Sequence, residues 1–266
     1  INNMSHNTPQ LNFHLTTNTY SILGTTPQPH NLDHHMLTFL GIGAQKAGTT
    51  WLYEQFRQHP HIKFPKGKEL HFWDRPYTQT DVHNYLDQFS HHHCHQGEIT
   101  PAYAILPPTT IYQIWRVAPN LKLIYIIRNP IERAWSSALM ALQRAELSFS
   151  EASNEWFLDH FYSNGSMMRG HYVNCINNWL QFFHDDQLLI LNFDQIKTQP
   201  ELVLAKCARH LNIKPFPPEV LETSHKPVRT GLGYKIRPPL HTALANLYRP
   251  VLQDLGDLLN TDFSAW

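Results

Sequence analysis

The chain has 266 residues, of which 42% are hydrophobic, and its 21 basic and 21 acidic side chains cancel to a formal net charge of zero. This length allows one domain with a sizeable core, and the balanced charge argues against nucleic acid or an anionic membrane surface as a partner. Three widely spaced cysteines are too few, and odd in number, for a disulfide framework, which favours a reducing, cytoplasmic location.

The opening of the chain, up to residue 35, is rich in Asn, Thr, His and Pro and shows no sustained periodicity. It lacks the basic-then-apolar plan of a signal peptide, and nowhere does the chain hold the roughly 18 consecutive apolar residues of a membrane span. We expect residues 1–35 to be a flexible linker or a frayed tail, followed by a single domain at 36–266.

From residue 36 onward, segments that predict strands alternate with segments that predict helices. The predicted strands are Met36–Ile42, His61–Phe64, Gly97–Thr100, Leu121–Arg128 and Gln187–Phe193, and the predicted helices are Gly48–His59, Thr110–Val117, Pro130–Gln143, Ser150–Asp159, His171–Phe183, Pro200–Leu211 and His241–Leu259. The run LKLIYIIR is apolar on both faces, as in the middle of a parallel sheet. The order predicts an α/β domain with a central, mainly parallel sheet flanked by helices.

The stretch FLGIGAQKAGTTWLYEQF at 39–56 predicts an anion-binding turn, although a plain strand-to-helix turn is the alternative. Its glycines leave room for an anion near the backbone, and the free N–H groups at the start of the helix attract negative charge. Lys46 adds a mobile positive charge, and Thr49 and Thr50 add hydroxyl donors. Because the lysine precedes the last glycine, the turn differs from a nucleotide triphosphate loop, and no metal is expected.

Arg128, at the end of a predicted strand, and Ser136, on the helix that follows, form a second predicted anion site. A guanidinium and a hydroxyl can share one phosphate, whereas the alternative is an i,i+4 ion pair between Arg128 and Glu132. Two anion sites at neighbouring strand ends predict a nucleotide with phosphates at both ends of its ribose.

These segments resemble, in order, the motifs of sulfotransferases that use 3′-phosphoadenosine 5′-phosphosulfate (PAPS). GAQKAGTTWL resembles that family's 5′-phosphosulfate loop, and LIYIIRNPIERAWSSALM resembles its 3′-phosphate strand and helix. The resemblance implies a P-loop-like sulfotransferase fold and an O-sulfotransferase that moves the sulfuryl group of PAPS to an alcohol. The cofactor-binding residues that it implies are Gln45, Lys46, Ala47, Gly48, Thr49, Thr50, Trp51, Arg128, Ser136, Tyr172, Arg229, Thr230 and Gly231.

Two of these assignments concern the adenine and three concern a loop late in the chain. RGHYVNCINNWLQFF resembles the family's tyrosine-bearing helix, which implies that Tyr172 lies near the adenine, and Trp51 matches the aromatic residue that stacks on it. VRTGLGYKIRPP occupies the place of the basic, glycine-containing loop that closes over the cofactor, with Arg229, Thr230 and Gly231 at the matching positions.

KELHFWD is similar to the KExHFFD-like segment of the heparan-sulfate and bacterial branches, whose glutamate is taken as the catalytic base; that residue is Glu69. His71 is the alternative base, and on an extended segment the two side chains would point the same way. Glu69 in a surface ion pair and His71 in the core are the structural alternatives. Lys46 is expected to stabilise charge on the departing oxygen.

GEITPAY has Ile99 where many members of the family have a lysine. If that lysine normally helps to hold the sulfuryl oxygens, the loop lysine acts alone, or Lys66, Lys68 or Arg133 substitutes for it. The missing lysine leaves a catalytically silent nucleotide-binding module as an alternative, beside a metal-dependent phosphotransferase that uses the same loop.

The balanced charge argues against a polyanionic acceptor, which would need a stripe of Lys and Arg. Three motifs taken together, GAQKAGTTWLY, KELHFWD and GEITPAY, also resemble the sulfotransferase domains of modular, olefin-forming polyketide synthases. That resemblance implies acyl carrier protein and neighbouring synthase domains as partners, and as acceptor the β-hydroxyl of a carrier-bound acyl chain, activated for later elimination. A carbohydrate or small-molecule O-sulfotransferase is the alternative.

His91, His92, His93 and His95 surround Cys94 and invite comparison with a metal site. Structural zinc sites, however, draw paired ligands from two separated places in the chain. We therefore expect an exposed polar loop here.

Overall fold

The computed structural model describes residues 36–90, 93–228 and 231–266. The predicted linker or tail at 1–35 lies outside the described residues, as do Arg229 and Thr230 of the late loop and two members of the histidine cluster, His91 and His92.

In the described part of the chain, five parallel strands form one sheet in the order β2-β3-β1-β4-β5. The strands are β1 (Leu37–Gly43), β2 (Ile62–Lys63), β3 (His95–Ile99), β4 (Lys122–Ile127) and β5 (Leu188–Asn192). β1 is central and pairs with β3 on one side and β4 on the other. The loops after β1, β3 and β4 therefore leave the sheet at the same edge.

Helices flank the sheet, which confirms the predicted α/β class. They are α1 (Thr49–Phe56), α2 (Gln79–Leu86), α3 (Pro108–Val117), α4 (Pro130–Arg144), α5 (Asn154–Tyr162), α6 (Asn164–Gly170), α7 (Tyr172–Leu180), α8 (Phe193–Thr198), α9 (Pro200–His210), α10 (Pro218–Thr223) and α11 (Pro238–Leu259). No helix in the described ranges is long and apolar enough to cross a bilayer.

Each predicted strand is present, and the predicted helices differ mainly at their ends. The helix predicted to begin at Ser150 begins at Asn154, because the Ser153 side chain accepts a hydrogen bond from the Trp156 amide and caps the first turn there. The sequence prediction missed α2, α6, α8 and α10, which have six to eight residues each. Helices this short show little periodicity and depend on caps and tertiary contacts.

The core has two parts. The larger one packs α1, α3, α7 and α9 on the sheet, whose strands β1 and β4 are buried almost throughout. The smaller one joins α4, α5 and α11 around Trp135, Phe157 and Tyr248. This second core fixes α4, the helix that follows β4, against the rest of the domain.

Candidate active site

The turn after β1 carries the predicted anion-binding residues Gln45 to Thr50. Lys46 and Gly48 both have positive φ, 69° and 94°, so the chain reverses direction tightly before α1 begins. No described side chain caps the start of α1, which leaves its first N–H groups available to an anion. A Cβ atom on Gly48 would lie only 2.9 Å from the Phe193 ring, so both space and backbone conformation require glycine.

Arg128 leaves the end of β4 and reaches that turn. Its Nη1 donates a hydrogen bond to the Lys46 carbonyl oxygen at 2.9 Å. Its Nε and Nη2 donate to the Glu132 carboxylate at 3.1 and 2.9 Å. The ion pair weighed as an alternative is therefore present, and the same guanidinium also anchors the turn. Ser136 lies half-buried one helical turn further along α4.

Phe193, which sequence reasoning missed, packs against both of these features. The Arg128 guanidinium lies 4.6 Å from the centre of its ring, and the Lys197 ammonium lies 4.7 Å from it. Phe193 follows β5 directly, and β5 pairs with β4. The reasoning that singled out residues at strand ends would have found it.

The two residues assigned to the adenine have different surroundings. The Trp51 ring is buried, and its Nε1 donates to the Ser224 carbonyl oxygen at 2.8 Å. Tyr172 is fully buried, its ring packs against Tyr125, and its hydroxyl donates to the Arg128 carbonyl oxygen at 2.6 Å. Tyr172 therefore supports Arg128 from within the core, and its place near the adenine stays a prediction.

Glu69 and His71 do face each other, but not because the segment is extended. Both have left-handed backbone conformations, with φ of 62° and 54°. His71 Nε2 lies 3.6 Å from Glu69 Oε2, and His71 Nδ1 lies 2.7 Å from Asp74 Oδ2. The Lys68 ammonium pairs with the other oxygen of Glu69. The sequence analysis did not single out Asp74, although its position three residues after His71 in KELHFWD is a usable signal.

Hydrogen bonds from a distant segment hold this backbone in place. The Leu70 amide donates to Glu98 Oε2 at 3.2 Å, and the Phe72 and Trp73 amides donate to the Tyr103 hydroxyl at 3.0 and 3.3 Å. The Tyr103 hydroxyl in turn donates to Glu98 Oε1 at 2.9 Å. Both Glu98 and Tyr103 are fully buried, so these bonds are shielded from water.

Glu98 is the centre of that network. Burial raises the pKa of its carboxyl group, while hydrogen bonds from Thr100, Tyr85, Tyr103 and the Leu70 amide oppose the rise. The Tyr85 and Thr100 hydroxyls each donate to it at 2.6 Å. Four donors thus converge on one carboxylate, which leaves the backbone around Leu70 few alternative positions.

The base-bearing segment lies beside the anion-binding turn. The Glu69 amide donates to the Ile99 carbonyl oxygen at the end of β3, at 3.1 Å. The next residue, Thr100, donates its amide to the Gly41 carbonyl oxygen of β1 at 2.9 Å. Two successive backbone bonds therefore connect Glu69 to the strand that leads into the turn.

The family model described as a sulfotransferase domain matches residues 38–229. The chain belongs to the sulfotransferase family. Human carbohydrate sulfotransferase 15 is 25% identical over 304 aligned residues, covering 86% of this chain and 54% of the relative. The sulfotransferase chain thus spans about half the length of this curated relative.

Solved structures agree with that assignment. A sulfotransferase from Alicyclobacillus acidocaldarius superimposes with a TM-score of 0.68 at 27% identity, covering 86% of this chain and 98% of the other. The sulfotransferase domain from the curacin biosynthetic pathway superimposes with a TM-score of 0.53 at 16% identity, over 86% and 98%, which shows a shared fold. The predicted sulfotransferase fold and the family membership are confirmed.

In this sulfotransferase, Ile99 does not line the site. It is fully buried, and a Cβ atom on Gly41 would lie 2.7 Å from it. Of the three proposed substitutes for the absent lysine, Lys68 contacts Glu69, Lys66 is exposed, and Arg133 is fully buried. Lys68 is the one of the three that contacts the predicted base, and the choice among them stays a prediction.

Behind the turn, a short polar chain fixes Gln45. The Ser137 hydroxyl donates to Gln45 Oε1 at 3.4 Å, and His160 Nε2 lies 3.3 Å from the same hydroxyl. Burial lowers the pKa of His160, and the positive charges of Arg133 and Arg169 lower it further. A neutral His160 can share a proton with Ser137 without adding charge next to the turn.

Two predictions about the rest of the chain have partial answers. Gly231 is exposed, whereas Arg229 and Thr230, the other two cofactor-binding residues assigned to the late loop, lie outside the described residues. Among residues 36–90, 93–228 and 231–266, no three His, Cys, Asp or Glu side chains come together as a metal site.

Proposed function

We propose that this sulfotransferase transfers the sulfuryl group of PAPS to the β-hydroxyl of an acyl chain carried by acyl carrier protein, activating it for later elimination. The observation that carries the catalytic part is the attachment of Glu69, through the ends of β3 and β1, beside the uncapped start of α1. Glu69 and the turn lie at one edge of the sheet, which supports an in-line transfer with Glu69 as the base.

The donor-side residues fit a ligand with phosphate groups at two ends. PAPS supplies the activated sulfuryl group. Lys46 and the N–H groups at the start of α1 bind its oxyanions and stabilise negative charge on the departing oxygen. Arg128 and Ser136 hold the 3′-phosphate, the guanidinium as the charged donor and the hydroxyl as a neutral one. The Phe193 ring stabilises the Arg128 guanidinium by a cation–π contact.

On the acceptor side, Glu69 takes the proton of the acceptor hydroxyl. Asp74 accepts a hydrogen bond from His71 Nδ1 and so fixes the imidazole ring, whose Nε2 lies beside Glu69. Lys68 forms an ion pair with the Glu69 carboxylate. His71, oriented by Asp74, is the alternative base, and substitution separates the two roles.

Two features support a carrier-bound alcohol as the acceptor. The zero net charge offers no broad basic surface for a sulfated polysaccharide. The chain also shares its fold with the sulfotransferase domain from the curacin pathway, over 86% of this chain and 98% of that one. We propose acyl carrier protein and neighbouring synthase domains as partners, in the cytoplasm.

A carbohydrate acceptor is the second candidate, because carbohydrate sulfotransferase 15 is a relative over 86% of this chain. In that case the acceptor hydroxyl belongs to a sugar, while the donor side and the base keep the same roles.

The test is incubation with labelled PAPS and a panel of 3-hydroxyacyl carrier proteins, sugars and phenols, read by intact mass and by label transfer. A carrier protein whose acyl chain lacks the hydroxyl is the matched control. We expect one sulfuryl group on the 3-hydroxyacyl carrier protein and none on the control. Label on sugars alone would overturn the acceptor assignment, and label on no alcohol would overturn the catalytic one.

A further inference from the structure

One carboxylate lies between two cations next to the predicted 3′-phosphate site. Glu132 Oε2 is 2.9 Å from Arg128 Nη2 and 4.0 Å from Lys197 Nζ. Arg128 and Lys197 also both lie against the Phe193 ring. Lys197 belongs to α8, a short helix that the sequence did not predict, and it has no place in the mechanism above.

The edge of Arg128 that best suits a phosphate is occupied. Its Nε and Nη2, the two donors that together form a fork, both donate to Glu132 Oε2. Its Nη1 donates to the Lys46 carbonyl oxygen, a contact that holds the turn. A phosphate that takes the fork must therefore displace Glu132, since the remaining edge already serves the turn.

Displacing Glu132 creates an electrostatic problem, because a carboxylate is then left beside a phosphate. Like charges a few ångströms apart disfavour each other unless another cation compensates. Lys197 is the cation already within 4.0 Å of the same oxygen. Its ammonium is kept in this position by Asp194 Oδ1 at 3.0 Å and by the Phe193 ring. Its side chain is 48% exposed and so has freedom for a small shift.

We propose that Lys197 is a positioning residue for the nucleotide: it takes over Glu132 when Arg128 exchanges that carboxylate for the 3′-phosphate. The proposal rests on the proposed function, since it assumes that Arg128 binds this phosphate. Glu132 then acts as a placeholder that orders the guanidinium before the nucleotide arrives. Once the nucleotide is bound, Lys197 limits the repulsion between the Glu132 carboxylate and the 3′-phosphate.

The test measures binding of 3′-phosphoadenosine 5′-phosphate by calorimetry, so that no acceptor is needed. The variants are Glu132→Gln, Lys197→Met and the double variant, each checked for folding by thermal unfolding. Lys122→Met and Asp186→Asn are matched controls, because that surface pair, 3.8 Å apart, lies at the amino end of β4 and so at the opposite edge of the sheet.

We expect Glu132→Gln to tighten binding about three- to tenfold, because it removes both the competitor for the fork and the repulsion. Lys197→Met weakens binding by about threefold in the wild-type background and by much less in the Glu132→Gln background, where no carboxylate needs compensation. These differences shrink in high salt because the groups are partly exposed, and the control variants bind like the wild type.

Two results would overturn the proposal. An equal loss from Lys197→Met in both backgrounds would mean that Lys197 contacts the phosphate directly. Unchanged affinity in all three variants would mean that neither side chain takes part. If the wild-type protein itself binds no 3′-phosphoadenosine 5′-phosphate, the proposed function fails first, and the inference fails with it.

Discussion

The two halves of the site are built in different ways. The anion-binding turn at 43–50 joins a buried strand to a helix, and its main features come from adjacent residues: a glycine, two positive φ angles and an uncapped helix start. The segment at 68–74 has no helix or strand of its own. It is held by side chains 28 to 31 positions away, through Glu98 and Tyr103.

This difference teaches where each half is vulnerable. The donor-side turn uses backbone N–H groups that every substitution except proline retains, so its chemistry depends mainly on the one lysine and on glycine. The acceptor-side segment depends on a buried carboxylate and a buried hydroxyl that carry no part of the reaction. Substitution of a residue remote from the chemistry should therefore impair the acceptor half more than the donor half.

The largest expected effect is on the donor side. Lys46→Ala should lower kcat/KM by about 10²–10³-fold, because it removes the positive charge that stabilises the departing oxygen. Sulfuryl transfer from labelled PAPS measures the loss, and Lys122→Met, at the opposite edge of the sheet, is the control with the same change of charge. Turnover that survives Lys46→Ala would remove the lysine from the mechanism.

The next effect tests the acceptor side and separates its two candidate bases. Glu69→Gln should lower kcat by about a hundredfold, because it keeps the shape of the side chain but cannot accept a proton. His71→Gln should cost less, since it removes the neighbour that orients the carboxylate. The kcat values of both variants, at saturating PAPS, decide between them: a larger loss in His71→Gln would make His71 the base and Glu69 its partner.

The same division explains what the sequence could predict. The turn, Arg128 and Ser136 are predicted from strand ends, glycines and charges that lie close together in the chain, which local reasoning can use. Phe193 was within reach of that reasoning, because it too follows a strand. The resemblance to the sulfotransferase family assigned Tyr172 to the adenine. Only the packing of α7 shows that the Tyr172 ring lies in the core.

The acceptor half was less predictable for a physical reason. The alternation of side chains along an extended strand suggested that Glu69 and His71 share a face, and they do face each other. The cause is different, because two left-handed residues are imposed by bonds to Glu98 and Tyr103. Bonds between segments about 30 residues apart leave no periodic trace in either segment, so no local pattern could reveal them.

Tyr103→Phe is the sharpest test of that dependence. It leaves the part-buried Phe72 amide and the buried Trp73 amide without their acceptor and removes one donor from Glu98. We expect a loss of about 2 kcal/mol in the free energy of unfolding and roughly a tenfold lower kcat, with the affinity for 3′-phosphoadenosine 5′-phosphate unchanged.

Chemical denaturation, kinetics and calorimetry measure these three quantities on the same Tyr103→Phe preparation. Tyr112→Phe is the matched control, because Tyr112 is 41% exposed on α3. Nucleotide affinity that falls together with kcat would contradict the proposed independence of the two halves.

The smallest expected effect concerns acidification, and it probes the donor half through His160. Burial is the main cause that lowers the pKa of His160 in the folded protein, so below the ordinary histidine value the unfolded chain binds a proton that the folded one does not. Stability should therefore fall as the pH drops from 7 through 6.5 and below. Burial also lowers the pKa of other histidines, which add to the same trend: His59, His95 and His210.

His160→Gln isolates the donor-side share of that loss, because an amide can still bond to Ser137 and does not titrate. Between pH 7 and 5.5 the variant should lose less unfolding free energy than the wild type, by about 1 kcal/mol or less. If stability depends on pH identically in the two proteins, His160 stays neutral over this range. The hydrogen bonds from His160 through Ser137 to Gln45 would then not change on acidification.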